Sequence, residues 1–141
     1  MEYKRPESVL VLVYTQAGEV LMLRRKCPND FWQSVTGSLE WDENPLQAAV
    51  RELHEETGIA EANVHDCQFS QNFEIYAIWR DRYAPGVMEN KEHVFSLEIP
   101  HKIEIQLDSR EHEEFAWLSK QEAMELAFSH TNLEAIQRWV P

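Results

Sequence analysis

The sequence predicts an α/β fold in which helices pack on a sheet, and three observations carry that prediction. Ser8 to Tyr14 is an unbroken β-rich run, the pattern of a strand buried on both faces. Asn44 to Gly58 carries the start signal, apolar stripe and stop signal of a helix. Further strand-like segments and capped helices then follow in mixed order, with no repeat, low-complexity tract or linker between them.

Each element has a local reason. Gln16-Ala-Gly-Glu19 reads as a hairpin turn, and Val20 to Arg25 as the return strand. Pro28-Asn-Asp30 is a second turn, and Phe31 to Thr36 a short extended piece. Asn44 is a good helix N-cap, Pro45 fits the first helical position and Gly58 the left-handed stop. Leu46, Ala49, Val50, Leu53 and Thr57 form the predicted apolar stripe. Gln68 to Trp79 and Lys91 to Ile99 read as strands, joined by a connection containing Tyr83-Ala-Pro-Gly86. Phe115 to Leu118 is a last short strand. Ser119 with Glu122 makes a capping box for a helix to about Phe128, and Thr131 with Glu134 makes another for a terminal helix.

Composition bounds the function. The 141 residues suggest one domain, spanning 1–141, long enough to bury a core without staples. The longest apolar run, Val9 to Tyr14, falls far short of the ~20 residues of a membrane span. The opening residues lack the pattern of a secretory signal. Cys27 and Cys67 are too few for a disulfide framework or a four-cysteine zinc site, so a reduced, cytoplasmic setting is expected. With 25 acidic against 13 basic residues the net charge is −12, which argues against a nucleic-acid partner. It does not argue against a small triphosphate, because carboxylates can hold a divalent metal that meets the phosphates.

The acidity has a focus. Glu52 and Glu56 are neighbours one helical turn apart, with Glu55 beside them, and all three are expected to avoid the apolar stripe. Like charges at this spacing repel, and Glu55 and Glu56 sit at the negative end of the helix. An arrangement unfavourable on both counts points to a compensating cation, and hard carboxylate oxygens suit Mg²⁺ or Mn²⁺. The competing reading is a solvated acidic face with Arg51 pairing to Glu55.

The spacing of Gly37, Glu43, Arg51, Glu52, Leu53, Glu55, Glu56, Gly58 and Ile59 resembles the Nudix box, G-x5-E-x7-R-E-U-x-E-E-x-G-U with U apolar, at every fixed position. Asp42 stands where many such boxes carry glycine, a mild departure since Asp tolerates left-handed backbone. The resemblance implies a Nudix-type α/β/α sandwich with a mixed β-sheet. It places the loop–helix–loop at residues 37–59 and implies metal-assisted hydrolysis of a diphosphate linkage. Within that reading Glu52 and Glu56 are metal ligands. Glu55 is a ligand or water-orienting group, and Arg51 orients the carboxylates. Glu43 reaches the helix from the preceding loop, while Gly37 and Gly58 serve tight turns and close approach.

Segments outside the box, Tyr3 to Pro6, Phe31 to Ser38, Arg82 to Val87, Glu111-His112 and Trp117-Leu118, resemble a bacterial Nudix subgroup acting in folate synthesis. That subgroup cleaves dihydroneopterin triphosphate to the monophosphate and pyrophosphate with Mg²⁺. The resemblance implies that Glu111 reaches the metal from a separate loop or serves as general base. Lys4 and Arg25 would clamp phosphates, and Arg24 would point to the opposite face. Thr36 would offer a hydroxyl to phosphate or ring. Phe73, Glu74, Ile75, Tyr76, Ser129 and Asn132 would surround the ring, with Glu74 accepting from its N–H groups. Trp79 and Trp139 are expected in the core. A monomer is expected. Two other readings stay open, a house-cleaning nucleoside triphosphate pyrophosphohydrolase and a non-catalytic Nudix-like sensor.

Overall fold

The computed structural model describes residues 3–26, 31–60 and 63–141. Cys27 and the turn expected at Pro28-Asn-Asp30 lie outside the described residues. Seven strands form one sheet, with β1 (Glu7–Thr15), β2 (Val20–Arg25), β3 (Trp32–Gln33), β4 (Val35–Ser38), β5 (His65–Glu74), β6 (Glu89–Ile99) and β7 (His112–Leu118). The path runs β3-β2-β1-β6-β5, with β4 on β1 and β7 on β2. β1 and β6 are parallel and the other pairs antiparallel, so the sheet is mixed.

The continuous apolar run of β1 has a direct cause. Val9, Val11 and Val13 pack under α1 (Pro45–Thr57) with Ala48, Ala49 and Leu53. Leu10 and Leu12 pack on the opposite face, with Ala123 of α2 (Lys120–Leu126) and with Ala135 and Ile136 of α3 (His130–Trp139). A strand covered on both sides can afford no polar face in its middle. The result is an α/β/α sandwich. Among the described residues no helix is long and apolar enough to cross a membrane.

The helix ends follow the sequence in two cases and not in the third. Asn44 and Gln47 cap α1 reciprocally, and Gly58 ends it at φ +82°. Ser119 and Glu122 form the expected box on α2, which stops at Leu126 rather than Phe128. The box expected from Thr131 and Glu134 does not form. Ser129 caps α3 instead, its Oγ accepting from the Asn132 N–H at 3.1 Å. Starting the helix there lets Asn132 reach Ser34 and buries Thr131 in the first turn.

Three other segments depart from expectation. In α1, Leu46 and Val50 are exposed, and Ala48 and Glu56 are buried with Ala49, Leu53 and Thr57. Two adjacent alanines let the helix lie close to the sheet. That docking turns the helix so that Glu56 points inward, not away from the apolar face. The strand expected to run from Gln68 to Trp79 ends at Glu74, and Ala77–Arg82 is a 3-10 helix. The last strand begins earlier than expected, at His112, because β7 pairs with β2 as far as Arg25.

One buried contact ties α3 to the β3–β4 corner. Asn132 Oδ1 accepts from the Ser34 N–H at 2.9 Å, and Asn132 Nδ2 donates to Ser34 Oγ at 2.9 Å. Both residues are buried. Asn132→Ala leaves a buried N–H unpaired and is expected to lower the unfolding free energy by about 2–4 kcal/mol. Urea denaturation measures this, and a loss under about 0.5 kcal/mol would mean the corner does not depend on the contact.

Candidate active site

The site begins with one guanidinium. Arg51 Nε donates to Glu43 Oε2 at 2.7 Å and Nη2 to Glu43 Oε1 at 2.8 Å. Nη1 donates to Glu52 at 2.7 Å and to Glu55 at 3.1 Å, and Nη2 also reaches the Ser38 carbonyl at 3.0 Å. Glu43 is consequently held below the usual carboxylate range, first through its hydrogen bonds from Arg51. Arg5, which sequence reasoning passed over, donates to the carbonyls of Glu40, Trp41 and Glu43 and fixes the loop that carries Glu43. Gly37 is required by space. A Cβ there would collide with the Glu52 carboxyl.

The inward turn of α1 brings Glu56 to β7. One oxygen each from Glu56 and Glu111 and a ring nitrogen of His112 lie within 4.8 Å of one another. Glu56 is 1% exposed and neither of its oxygens meets a hydrogen-bond donor among the described residues. Burial drives its proton affinity well up, and the neighbouring Glu52 and Glu111 charges add to this. Glu52 is raised too, mainly by burial. His112 is buried and pushed down to about 4, by burial and then by the Arg25 charge, so it is neutral at pH 7. Orphaned carboxylate oxygens on a buried side chain fit a divalent cation, and oxygen donors are what a hard one selects. Glu55 is not part of this group. It is half-exposed and pairs with Arg51.

Beyond Arg5 and Arg51, which are committed to the loop and the carboxylates, three more cations among the described residues stand along the cleft. Lys4, Arg25 and Arg82 line both the open cleft, about 690 Å³, and an inner cavity of about 130 Å³. Glu52, Glu111 and Gly37 line the open part. Lys4 is lowered by burial first, then by repulsion from Arg82 and Arg25. Its backbone N–H donates to the Arg82 carbonyl, which holds the two residues together. Arg82 was not singled out from sequence, since a cation in an irregular connection carries no local signal. Arg24 does point elsewhere, to Glu113 and Glu114 at 3.3 and 3.0 Å.

The inner cavity is walled by Phe73, Ile75, Tyr76, Trp79 and Phe128. Trp79, expected in the core, stands in this wall with the Arg25 guanidinium 5.3 Å from its ring centroid. Trp139 packs against the core as expected. Several residues expected around a ring take other parts. Glu74 is exposed, paired with Arg80 at 2.6 Å, and faces away from the cavity because Phe73 faces in. Asn132 lines the cavity, but both its side-chain atoms are used on Ser34. Ser129 lines it too, with its Oγ spent on capping. Thr36 donates its hydroxyl to the Val9 carbonyl at 2.9 Å, so it offers the cleft an acceptor and not a donor.

In place of Glu74, the cavity holds Glu92. It is 5% exposed, and Gln71 Nε2 donates to its Oε1 at 3.0 Å. Burial pushes it up to about 7, against the opposing pull of hydrogen bonds from Gln71 and Thr131. It lay hidden in the sequence because alternation along β6 gives no sign of which polar residue closes a cavity.

A model of the NUDIX domain matches residues 4–139. The dihydroneopterin triphosphate diphosphatase of Escherichia coli is 46% identical over 143 residues, covering 98% of this chain and 94% of the relative. Its counterpart in Haemophilus influenzae is 43% identical over 145 residues, covering 99% and 90%. The solved structure of the E. coli dihydroneopterin triphosphate pyrophosphohydrolase superposes with a TM-score of 0.93 at 44% identity, over 99% of this chain and 98% of that one.

Glu92 makes stability depend on pH in a definite direction. Its carboxyl titrates near 7 when folded and near 4.5 when unfolded. Between those values the folded state keeps a proton that the unfolded state has released, so stability falls as pH rises, by about 3 kcal/mol in full. Glu92→Gln removes that fall. Urea titrations are expected to show the variant and the parent similar near pH 4.5, with the variant more stable by about 2–3 kcal/mol at pH 8. An unchanged difference across that range would mean that burial does not raise the Glu92 carboxyl.

Proposed function

This chain belongs to the Nudix family, and from that premise we propose that it hydrolyses dihydroneopterin triphosphate to dihydroneopterin monophosphate and pyrophosphate, with Mg²⁺, as a step of folate synthesis. The observation that carries the reading is the order of chemistry along one cleft. A carboxylate group fit for a divalent cation lies at one end. A cationic wall of Lys4, Arg25 and Arg82 follows, and then an aromatic cavity sized for a flat ring. That order matches a ring joined to a triphosphate. The near-full-length identity to the two diphosphatases supports the same substrate.

In this reading Glu52, Glu56 and Glu111 hold the metal, and Mn²⁺ is an acceptable substitute. When bound, a divalent cation supplies charge neutralisation of the departing pyrophosphate and polarisation of a phosphoryl oxygen. Arg51 orients Glu52 through the 2.7 Å bond and favours its ionised form against the effect of burial. Lys4, Arg25 and Arg82 bind phosphate oxygens not met by the metal. Glu111 is exposed at the cleft and takes the proton from the attacking water at a carboxylate oxygen. No side chain needs to become covalently attached. The working unit is a cytoplasmic monomer, without nucleic acid or membrane.

Intact carboxylates throughout the box weigh against a sensor without catalysis. A panel of dihydroneopterin triphosphate and purine nucleoside triphosphates, with Mg²⁺ and both products identified, tests the substrate. Faster turnover of a purine triphosphate would favour the house-cleaning reading. Glu56→Gln is expected to lower turnover by at least about 100-fold while the circular dichroism spectrum stays unchanged. Near-normal rates in saturating Mg²⁺ would remove Glu56 from the metal site. Glu111→Ala is expected to change stability by no more than about 0.5 kcal/mol while turnover falls. A large drop in melting temperature with normal turnover would make Glu111 a structural residue.

A further inference from the structure

The inner cavity contains a charge for which the hydrolytic chemistry has no use. Glu92 is the one acidic side chain among the described residues that line it. It lies on β6 across from Ser8 of β1, on the same face of the strand as Asn90, which lines the open cleft. Gln71 donates both to Glu92, at 3.0 Å, and to the Thr131 carbonyl, at 3.3 Å. Both bonds use the amide nitrogen, so the orientation of Gln71 is fixed with its donor toward the carboxyl. The neighbouring polar side chains are committed within the fold, Asn132 to Ser34 and Ser129 to the start of α3. Lys4, Arg25 and Arg82 stand where the cavity opens to the cleft, Gln33 and Thr36 are also in the wall, and its apolar part is aromatic and aliphatic.

We propose that the Glu92 carboxylate selects the substrate ring, by accepting a pair of hydrogen bonds from an exocyclic amino group and the adjacent ring N–H. That donor–donor edge is shared by 2-amino-4-oxo pterins and guanine. The inference rests on the proposed function for the presence of a ring that carries a triphosphate. A carboxylate has about four lone-pair sites, and Gln71 and Thr131 occupy two, which leaves room for two more donors. A ring presenting an acceptor at this edge would set lone pair against lone pair and leave a buried charge unpaired, an arrangement that rejects strongly. With the edge on Glu92 the ring lies between Phe73, Trp79 and Phe128, and its chain leaves toward Lys4, Arg25 and Arg82.

GTP and ITP differ by the amino group alone, and ATP presents the wrong edge. The test is equilibrium titration of the metal-free chain with all three, followed by tryptophan fluorescence. The parent chain is expected to bind GTP about tenfold more tightly than ITP, with ATP weaker still. In Glu92→Gln the preference for GTP is expected to shrink to about twofold or less. For dihydroneopterin triphosphate the same variant is expected to lose about 10–100-fold in kcat/KM, mostly in KM, with its Mg²⁺ dependence unchanged. Equal binding of GTP and ITP by the parent chain overturns the proposal and requires no variant to fold. A retained preference in the variant, or a loss confined to kcat, overturns it too. Glu92→Asp, which keeps the charge but withdraws it by one methylene, is expected to keep the direction of the preference at reduced size. If dihydroneopterin triphosphate yields no pyrophosphate while GTP is still preferred over ITP, the function reading fails and the role of Glu92 stands.

Discussion

The whole arrangement depends on Arg51. Glu43, Glu52 and Glu55 converge on one patch of α1 and the loop before it, where their mutual repulsion would otherwise splay them apart. A single planar guanidinium meets all three and the Ser38 carbonyl as well. Lysine could not substitute, since a point charge lacks the fork that grips both oxygens of Glu43. With that knot in place the preceding loop is fastened to the helix, Gly37 can lie against Glu52, and Glu56 is left on the inner side facing β7.

Charge in this molecule is arranged by position, and the net value of −12 conceals it. One end of the cleft is acidic, its wall is cationic, and its cavity is largely aromatic with one carboxyl. Several of these groups are held in unfavourable states. Glu56 is buried without a donor among the described residues, Lys4 is crowded by two arginines, and Glu92 is desolvated. Each would be relieved by a ligand of opposite character: a cation, a polyanion and a pair of N–H donors. Ligands that bind only the folded chain stabilise it by mass action, so these local penalties are the part of the fold that binding would reverse.

The sequence made some of this legible and not the rest, for physical reasons. β1 was readable because burial on both faces leaves an unbroken apolar run, and α1 because its caps are local chemistry. The carboxylate constellation was readable because its spacing is fixed along one short segment. The rotation of α1 was not, since exposed Leu46 and Val50 look as apolar as buried Leu53, and only the close approach of Ala48 and Ala49 decides the face. The bond between Ser34 and Asn132 joins residues 98 apart and leaves no local trace. Glu74 and Glu92 are both acids on strands that flank the cavity. Only the pleat of the folded sheet separates the one facing water from the one facing inward.

The division of labour along the cleft bears on where selectivity can arise. Any triphosphate presents the same oxygens to the carboxylate end and to Lys4, Arg25 and Arg82, so those contacts bind without choosing. Aromatic walls add affinity for flat rings in general, with modest discrimination among them. A buried carboxyl differs in kind, because a wrong ring does more than forgo a contact. It seals a charge away from water with nothing to pair it. Selection by penalty requires that the carboxyl be held in place before the ring arrives, and Gln71, anchored on Thr131, is positioned to hold it. The stability given up when Glu92 ionises inside the protein, as pH rises through about 7, is therefore the physical source of choice among rings that share one triphosphate tail.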